Sequence, residues 1–327
     1  MRQAIPAPGV LTTGGIARAL ALCLLAWLAL PCGAQPATAP AIAQVPTPNA
    51  ASNVAPSAGP GRDGVLRVCQ DPNNLPFSHR SQEGFENRIA ALLAQELGWK
   101  LETTWFPQRI GFIRNTLRAK QEHGDGYKCD LVIGVPAGFD MAAPTHPYYH
   151  SSYALAYVKG RALDGVRNLD DILALPPAQR SKLRFGVFTA SPLSDWLLDN
   201  ALMKQVEWYQ IQSGDAEQYP GQIIERDLAS GKIDLAFVWG PIAGYVARTA
   251  RSAPIVAVPL GSRPGMKLDF DIAMAVRHGD KEFRQRIDQL ITTHQDKINA
   301  ILEQYGVPLQ DQRGQALYTA QRPPTSR

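Results

Sequence analysis

Polar side chains that could bind a ligand lie at predicted turns of this chain. Gln108 and Arg109 precede a predicted helix, and Asp140 follows Gly138 in a later loop. Arg109 would pair with an anionic ligand or a partner's carboxylate, with a directional hydrogen bond from Gln108, or it would bridge structural elements; arginine serves both purposes. Asp140 would accept a hydrogen bond in a cleft or cap the turn that follows it.

Two more polar residues lie at the ends of predicted elements. Ser191 precedes Pro192 at the first turn of a predicted helix. Its hydroxyl would cap that helix, which needs no further assumption, or help the helix amides to hold an oxygen-bearing ligand. Asn73 belongs to a turn-rich Asp-Pro-Asn-Asn segment that directly follows the first predicted strand.

Aromatic side chains also lie near predicted strand ends, namely Phe77, Tyr148, Tyr149 and Trp239. They would stack on a planar or apolar ligand, or fill the space between elements and leave little room for one. Either arrangement disfavours a polar amino acid as the ligand.

The sequence carries no recognised catalytic or metal-binding motif. It lacks the HExxH, paired CxxC, GxSxG, Walker and GxGxxG patterns. His146 and His150 are four residues apart, but Pro147 argues against the helix that would bring them onto one ion. We therefore predict no metal site, no cofactor and no catalytic residue. An enzyme on this chain, such as a dehydratase, would have to use Glu86 or Asp140 as its general acid.

The composition indicates a folded protein without a polyanionic partner. Apolar residues make up 45% and charged residues 19% of the 327 positions, enough for buried cores, and the formal net charge is +4. So small a positive balance gives no argument for a nucleic acid or an anionic membrane surface. After the leader no apolar run approaches the length of a membrane span, so we predict that this is not an integral membrane protein.

The first 34 residues have the pattern of a secretory signal. Arg2 and Arg18 are their only charges, and the apolar run 19–30 is too short to span a membrane but suits a signal core. Cleavage before Gln35 would release the mature protein into the periplasm. Lipidation of Cys32 is the alternative, although the proline before it makes a poor lipobox.

Only two cysteines, Cys69 and Cys129, remain after this leader. An oxidising compartment favours a disulfide between them, which would stabilise the fold by about 2–4 kcal/mol. Two buried thiols at strand ends are the alternative, because spacing alone does not show the Cα approach that a bridge requires.

Strands and helices are predicted to alternate in two similar series. The first includes a strand at 66–68, a helix at 85–97 and a strand at 131–133; the second runs from a strand at 183–188 to one at 235–238. Such alternation predicts parallel sheets covered by helices. The other predicted elements are a strand at 101–105, a helix over 110–117, a helix at 192–203, a strand at 206–211, a helix at 223–228, a strand at 272–276 and a helix pair ending near Gly306.

This order predicts two α/β lobes joined by a hinge. The predicted divisions are 1–34 for the signal peptide, 35–62 for an Ala/Pro-rich linker, 63–157 for lobe I, 158–270 for lobe II, 271–310 for a return to lobe I and 311–327 for a flexible tail. Ligands of parallel α/β sheets bind at the carboxyl ends of the strands, so the cleft between the lobes is the expected site.

Six short segments carry a resemblance to a known family. They are LRVC at 66–69, DPNNLPFS at 71–78, GFEN at 84–87, PQRIGFIRNTL at 107–117, CDLVIGVP at 129–136 and PYY at 147–149. The first three resemble the opening of ABC-transporter periplasmic substrate-binding proteins, and the last three look like the MoxJ/XoxJ type, which is associated with quinoprotein (PQQ-dependent) methanol and alcohol dehydrogenases. The likeness covers about residues 63–308 and implies a two-lobed type II periplasmic binding protein fold with two crossovers.

The resemblance implies a non-catalytic periplasmic accessory protein that associates with such a dehydrogenase, with or without its cytochrome c, or assists its activation. Amino-acid-binding relatives clamp the ligand carboxylate with an arginine in the loop matching residues 135–141 and hold the ammonium with an acid where Trp239 stands; both are missing here. The alternative is therefore an ABC-transporter receptor for a small solute other than an amino acid. The candidate cleft residues are Asn73, Phe77, Gln108, Arg109, Asp140, Tyr148, Ser191 and Trp239.

Overall fold

The first part of the structure follows the predicted order of strands and helices. The computed structural model describes residues 63–211 and 217–311. Phe85, Ile89 and Leu93 share the buried face of the first helix, which ends where Gly98 adopts the left-handed conformation with φ 68°. The elements are β1 (Val65–Gln70), β2 (Asn73–Asn74), β3 (Ser78–His79), α1 (Phe85–Leu97), β4 (Lys100–Trp105), α2 (Phe112–Asn115), β5 (Leu131–Pro136) and β6 (Ala143–Val158).

The second part repeats the alternation and ends in a strand and two helices. Pro220 begins its longest internal helix, and Gly231 ends that helix with φ 71°. The elements are α3 (Leu169–Ala174), α4 (Pro177–Arg180), β7 (Phe185–Phe188), α5 (Ser194–Asp199), a 3-10 turn (Met203–Gln205), β8 (Val206–Tyr209), α6 (Pro220–Ser230), β9 (Leu235–Trp239), α7 (Gly240–Thr249), β10 (Ile255–Pro259), β11 (Asp269–Val276), α8 (Lys281–Thr293) and α9 (Gln295–Gln304).

The 16-residue strand β6 links two groups of strands. Its first half pairs antiparallel with β11, beside which lie β5, β1 and β4, and its second half pairs antiparallel with β9 and β10, with β7 and β8 beyond β9. We use lobe I for the first group with α1, α2, α8 and α9, and lobe II for the second with α3 to α7. Within each lobe the outer pairs are parallel: β1 with β4 and β5, and β7 with β8 and β9. The chain passes from lobe I to lobe II along β6 and returns at β11.

Apolar side chains cover both faces of each sheet. In lobe I, Ile133 and Met274 lie on the face that packs against α1, α8 and α9, whereas Val132 and Ala275 lie on the face that packs against α2. This alternation is the period-two pattern of a strand buried on both sides. Lobe II has two apolar clusters of its own.

The structure resolves the choice left open for the two cysteines. Cys69 and Cys129 form a disulfide with a Cα–Cα distance of 5.5 Å. The bridge joins β1 to the residues that lead into β5, and it is buried among the apolar side chains beneath α2.

The helix predicted over 110–117 is much shorter, which corrects the prediction from the Ile110, Ile113 and Leu117 spacing. Only α2 is helical, and Ile110 before it is 90% exposed. The helix stops because the Thr116 hydroxyl donates a hydrogen bond back to the Phe112 carbonyl and the Thr116 backbone leaves the helical region.

Two elements of lobe II also end before their predicted limits. The helix predicted over 192–203 is helical only in α5, because Asn200 donates a side-chain hydrogen bond to the Trp196 carbonyl and Ala201 takes a positive φ of 57°. The strand predicted to reach Ile211 ends at Tyr209, since Ile211 is half exposed beyond its last partner Phe188.

The predicted leader, linker and tail lie almost wholly outside the described residues, which include only Asp63 and Asp311 at their borders. Within the described part of the chain, no helix has both the length and the hydropathy needed to cross a membrane.

Candidate functional site

Two aromatic side chains of the predicted set lie between the lobes. Phe77, in the β2–β3 hairpin, and Trp239, the last residue of β9, each pack against the apolar core of lobe I and against one core of lobe II. Trp239 meets Tyr153 and Phe270 edge to face, with ring centroids 5.5 and 6.0 Å apart. These rings occupy the junction of the lobes, where a solute would be held.

Tyr148 and Tyr149 lie within β6 rather than at a strand end, which corrects their predicted position. Their rings are 4.9 Å apart, and both side chains belong to the lobe I core. The buried Tyr148 hydroxyl has no hydrogen-bond partner among the described residues. Burial raises the pKa of both phenols, and so does the neighbouring Glu86 charge.

Glu86 is a buried acid of lobe I that the predicted site lacked. It lies in the first turn of α1, is 4% exposed, and makes no side-chain hydrogen bond or ion pair with a described residue. Its carboxyl rests on Gly134 of β5, where any Cβ would overlap Glu86 Oε1 and where φ is +86°. Burial, followed by the negative charge of Asp71, raises the pKa of Glu86 well above its ordinary value.

Asn73 and Gln108 come together around Asp71, at the edge where β1 ends. The backbone N–H of Asn73 donates a hydrogen bond to Asp71 Oδ1 at 2.8 Å, and the backbone N–H of Gln108 donates one to Asp71 Oδ2. Asn74 Nδ2 also donates to Gln108 Oε1 at 3.3 Å. Asp71 therefore fastens the loop after β4 to the β2–β3 hairpin, and the Gln108 side chain itself is exposed.

Arg109 and Asp140 point into solvent at the same end of the lobe I sheet. The Arg109 guanidinium makes no hydrogen bond or ion pair within residues 63–211 and 217–311, and it stands beside the exposed Ile110. The Asp140 carboxylate does not form the turn cap predicted for it with any described residue; only its backbone carbonyl is engaged, 3.0 Å from His278 Nε2. The lip of lobe I thus carries an exposed arginine and an exposed carboxylate whose side chains have no partner among the described residues, next to the exposed Ile110.

Ser191 lies in the turn before α5 and does not cap that helix, because α5 begins at Ser194, its N-cap is Leu193 and no side chain of the described residues caps it. It is 7% exposed, and its hydroxyl oxygen accepts a hydrogen bond from the Leu193 amide at 3.3 Å in the turn that enters α5. Ser191 is far in sequence from Phe77 and Trp239 and makes no hydrogen bond with them. The structure therefore does not bring Ser191 together with the other predicted residues.

The C-terminal segment 305–310 fastens the two lobes together. Tyr305, at the end of α9, stacks on Tyr245 of α7 with centroids 6.2 Å apart, and it accepts a 2.7 Å hydrogen bond from Arg88 Nε of α1. The backbones of Gly244 and Gly306 touch so closely that a Cβ on Gly244 would overlap the Gly306 carbonyl. Lobe I, lobe II and the C-terminal segment are thereby joined on the side of α7.

The same segment is hydrogen-bonded to β6 where that strand passes between the lobes. Ser151 donates to the Pro308 carbonyl at 2.9 Å, and Gln310 Nε2 donates to Ser152 Oγ at 3.1 Å. Among the described residues, no cluster of three or more His, Cys, Asp or Glu side chains could hold a metal ion. The junction is therefore an aromatic contact that is fastened by hydrogen bonds from the C-terminal segment.

Comparisons with known proteins decide the family of this chain. No family model matches it. The solved structure of the periplasmic binding protein XoxJ from Methylobacterium extorquens AM1 is 33% identical and superimposes with a TM-score of 0.59 over 76% of this chain and 100% of that one. The chain is a MoxJ/XoxJ-type periplasmic binding protein.

Two further MoxJ/XoxJ-type relatives agree. Protein MoxJ of Methylorubrum extorquens is 28% identical over 82% of this chain and 88% of its own length. The crystal structure of MxaJ from Methlophaga aminisulfidivorans MPT is 28% identical, with a TM-score of 0.59 over 75% of this chain and 99% of that one. The predicted type II periplasmic binding protein fold is thereby confirmed.

Proposed function

We propose that this MoxJ/XoxJ-type protein is a periplasmic, non-catalytic accessory factor that associates with a PQQ-dependent methanol or alcohol dehydrogenase and assists its activation. The observation that supports the proposal is the junction of the lobes, where Phe77 and Trp239 each pack against the cores of both lobes. A transport receptor closes around its ligand by a hinge motion. A junction filled by aromatic rings and fastened by segment 305–310 favours a body that presents a fixed surface instead.

The missing charged groups support the same conclusion. Residues 135–141 contain no arginine for a ligand carboxylate, and Trp239 stands where a relative would hold the ammonium. An unpaired carboxylate in a buried site costs several kcal/mol, so uptake of a free amino acid is unfavourable here.

The lip of lobe I is the surface that we propose contacts the dehydrogenase. Arg109 has no acidic partner among the described residues, and Ile110 beside it is 90% exposed. An arginine next to an exposed apolar side chain is a composition enriched in binding hot spots. The partner surface would carry a carboxylate opposite Arg109 and an apolar recess for Ile110.

The experiment measures binding of the exported protein to the purified quinoprotein dehydrogenase, with and without PQQ, by calorimetry. We expect micromolar or tighter binding by the wild type. Arg109→Glu and Ile110→Ser should each weaken binding by about tenfold or more, the loss typical of a hot-spot side chain. The matched controls are Arg251→Glu and Leu198→Ser, which change an exposed arginine and an exposed leucine of lobe II. No binding to either form of the enzyme would contradict the proposed function, whereas equal losses in the controls would contradict only the proposed surface.

A receptor for a small solute other than an amino acid is the second candidate, and one observation favours it. The Glu86 carboxyl and the Tyr148 hydroxyl are buried in lobe I and have no hydrogen-bond partner among the described residues. A receptor should be stabilised by its solute, so a rise in melting temperature with small alcohols, acids or amines would support this candidate.

A further inference from the structure

A cavity of about 470 Å³ lies between α1 and the edge strand β4 of lobe I. Small-molecule sites in proteins typically measure about 300–1,000 Å³, so this one is large enough for a small ligand. The residues that line it come from the turn before α1, from α1 and from β4; they are Gln82, Asn87, Arg88, Ala91, Leu101 and Thr103. Neither Phe77 nor Trp239 is among them, so the cavity is separate from the junction of the lobes.

The strand alternation explains how β4 forms one wall of this cavity. Leu101 pairs with Leu66 of β1, and Thr103 pairs with Val68. Leu66 and Val68 pack against α1, and residues two apart in a strand lie on the same face of the sheet, so Leu101 and Thr103 face α1 as well. Among the described strands β4 pairs only with β1, which leaves its outer edge open beside the cavity.

Arg88 brings a positive charge to this wall and is held in place by Tyr305. Its Nε donates a 2.7 Å hydrogen bond to the Tyr305 hydroxyl, which in turn donates to the Glu83 carbonyl. The guanidinium carbon lies 6.0 Å from the centroid of the Tyr305 ring. The two Nη atoms make no hydrogen bond or ion pair with any residue of the described ranges. A guanidinium that is fixed through Nε and free at both Nη atoms is preorganised for a planar partner with two oxygens.

The amides next to Arg88 add a donor that lacks an acceptor. Asn87 is 2% exposed; its Oδ1 accepts hydrogen bonds from two backbone N–H groups at 3.0 Å, and its Nδ2 donates to Gln70 Oε1 at 2.8 Å. Gln70 is 1% exposed, and its Nε2 has no hydrogen-bond partner among the described residues. Buried amide groups are nearly always hydrogen-bonded. The unpaired Gln70 amide therefore indicates, independently of Arg88, that an acceptor is missing beside this wall.

The charges near the cavity favour an anion as its ligand. Of the described residues that line it, Arg88 alone is charged. The carboxylates of Glu83 and Glu102 are hydrogen-bonded elsewhere, to a serine of the turn at 2.7 Å and to a lysine of β4 at 2.9 Å. Glu86 rests against β5 instead of facing the cavity. No acid in the lining thus competes with a ligand for the Arg88 guanidinium.

We propose that this cavity binds the carboxylate of a small organic acid with a short alkyl group. The Arg88 Nη atoms donate hydrogen bonds to the two carboxylate oxygens, and Gln82 and Thr103, whose side chains make no hydrogen bond with a described residue, add further ones. The alkyl group contacts Ala91 and Leu101. This site lies within lobe I and does not rest on the proposed accessory function.

The experiment titrates the ¹⁵N-labelled exported protein with sodium butyrate and records the backbone amide signals by NMR. Butyramide, which keeps the shape but lacks the charge, and sodium chloride at equal ionic strength are the controls. We expect saturable shifts at residues 82–91 and 101–103 with butyrate, and no saturable shifts with either control. Arg88→Gln should weaken butyrate binding by about ten- to hundredfold, the value of a charge-assisted hydrogen bond. The matched control Arg114→Gln changes an exposed arginine of α2 and should leave the affinity unchanged.

Ala91→Leu is the second variant, because it fills the cavity and keeps every hydrogen-bonding group. Ala91 is exposed on α1 and leucine is a good helix former, so the variant should fold. We expect it to weaken butyrate binding by about tenfold or more, through the loss of room for the ligand.

Butyrate binding that survives in either variant would lie elsewhere in the protein and would overturn the proposal. Equal shifts with butyramide or sodium chloride would overturn it too, as would no response up to about 100 mM, a concentration at which even a weak single-site ligand is bound. None of these outcomes involves the dehydrogenase, so they leave the proposed accessory function unaffected.

Discussion

The helices α1 and α6 each bury one acidic side chain, and the pKa values of these two acids are shifted in opposite directions. Asp227 in α6 of lobe II is 2% exposed and Glu86 in α1 of lobe I is 4% exposed. Burial alone would raise the pKa of Asp227, but hydrogen bonds from Arg226, Tyr209 and Lys232 outweigh it and lower that pKa. Glu86 has no such donors, and its pKa is raised.

The comparison shows that partners, rather than burial, decide whether a buried acid is charged. Asp227 lies just beneath the surface, next to the half-exposed side chains of Arg226 and Lys232, and it stabilises lobe II by organising them. Glu86 packs against Gly134 of β5 and has no such partner among the described residues, so its ionised form destabilises the protein. A group that costs stability where it stands is a candidate for function.

Replacing Asp227 with asparagine should give the largest effect. We expect Asp227→Asn to lower the free energy of unfolding at pH 7 by about 2–3 kcal/mol, less than for a deeply buried pair because water screens its partners. Because the folded-state pKa is lowered, this contribution is present above the unfolded pKa of about 3.9 and is lost as the pH falls through the folded pKa. Urea denaturation at neutral and acidic pH measures the difference in free energy of unfolding between the wild type and the variant. A difference that does not shrink at acidic pH would refute the ionic role of Asp227.

Glu86→Gln is the matched amide substitution, and it should act in the opposite direction. A raised folded-state pKa means that the wild type keeps its full stability below the unfolded pKa of about 4.3 and loses stability as the pH rises toward the folded value. The glutamine variant lacks this loss. At about pH 8 its free energy of unfolding should therefore be about 1–2 kcal/mol higher than that of the wild type, and at about pH 4 the two values should be alike. A Glu86→Gln protein that is less stable than the wild type at both pH values would contradict the account.

The contact between Glu86 and Gly134 provides a smaller and more local test. Gly134→Ala should be destabilising because a Cβ would overlap the Glu86 carboxyl and because φ is positive there. Glu86→Ala in the same chain should recover about 1 kcal/mol of that loss, the coupling expected for side chains in contact. A double-mutant cycle by urea denaturation measures the coupling, and a value near zero would show that the carboxyl does not rest on this strand.

Substitutions at the lip should leave stability nearly unchanged, because the Arg109 and Ile110 side chains are exposed and Arg109 forms no ion pair with a described residue. Arg109→Glu and Ile110→Ser should shift the free energy of unfolding by no more than about 0.5 kcal/mol. Thermal unfolding measures this directly. A large loss would show that the lip stabilises the lobe, and the reduced dehydrogenase binding would then have a trivial explanation.

Much of the fold could be predicted from the sequence because it follows from local patterns. The apolar face of α1 and the glycine that ends it are visible in the spacing, and so is the alternation of strands and helices along the chain. The long strand β6 escaped prediction because Pro144 and Pro147 interrupt it; both lie where its pairing with β11 is irregular. The short α2 was missed because one hydroxyl, that of Thr116, ends a helix whose apolar spacing continues.

The site was predictable only in part. Phe77 and Trp239, two of the predicted residues, pack against the cores of both lobes, whereas Ser191 lies in the turn before α5 and does not cap that helix. The sequence did not show that Glu86 lacks a cationic partner among the described residues, because that property depends on which side chains the neighbouring elements bring next to it. The only signal would have been Gly134, a glycine at the end of a buried strand, which marks a close approach by another group.

Hydrogen exchange of the lobe I lip in the presence of the quinoprotein dehydrogenase tests the central claim most directly. Backbone amides of residues 108–111 and 137–142 should exchange more slowly when the dehydrogenase is added, and Arg109→Glu should abolish the slowing. Unchanged exchange at both loops, at concentrations where the dehydrogenase is in excess, would contradict the account.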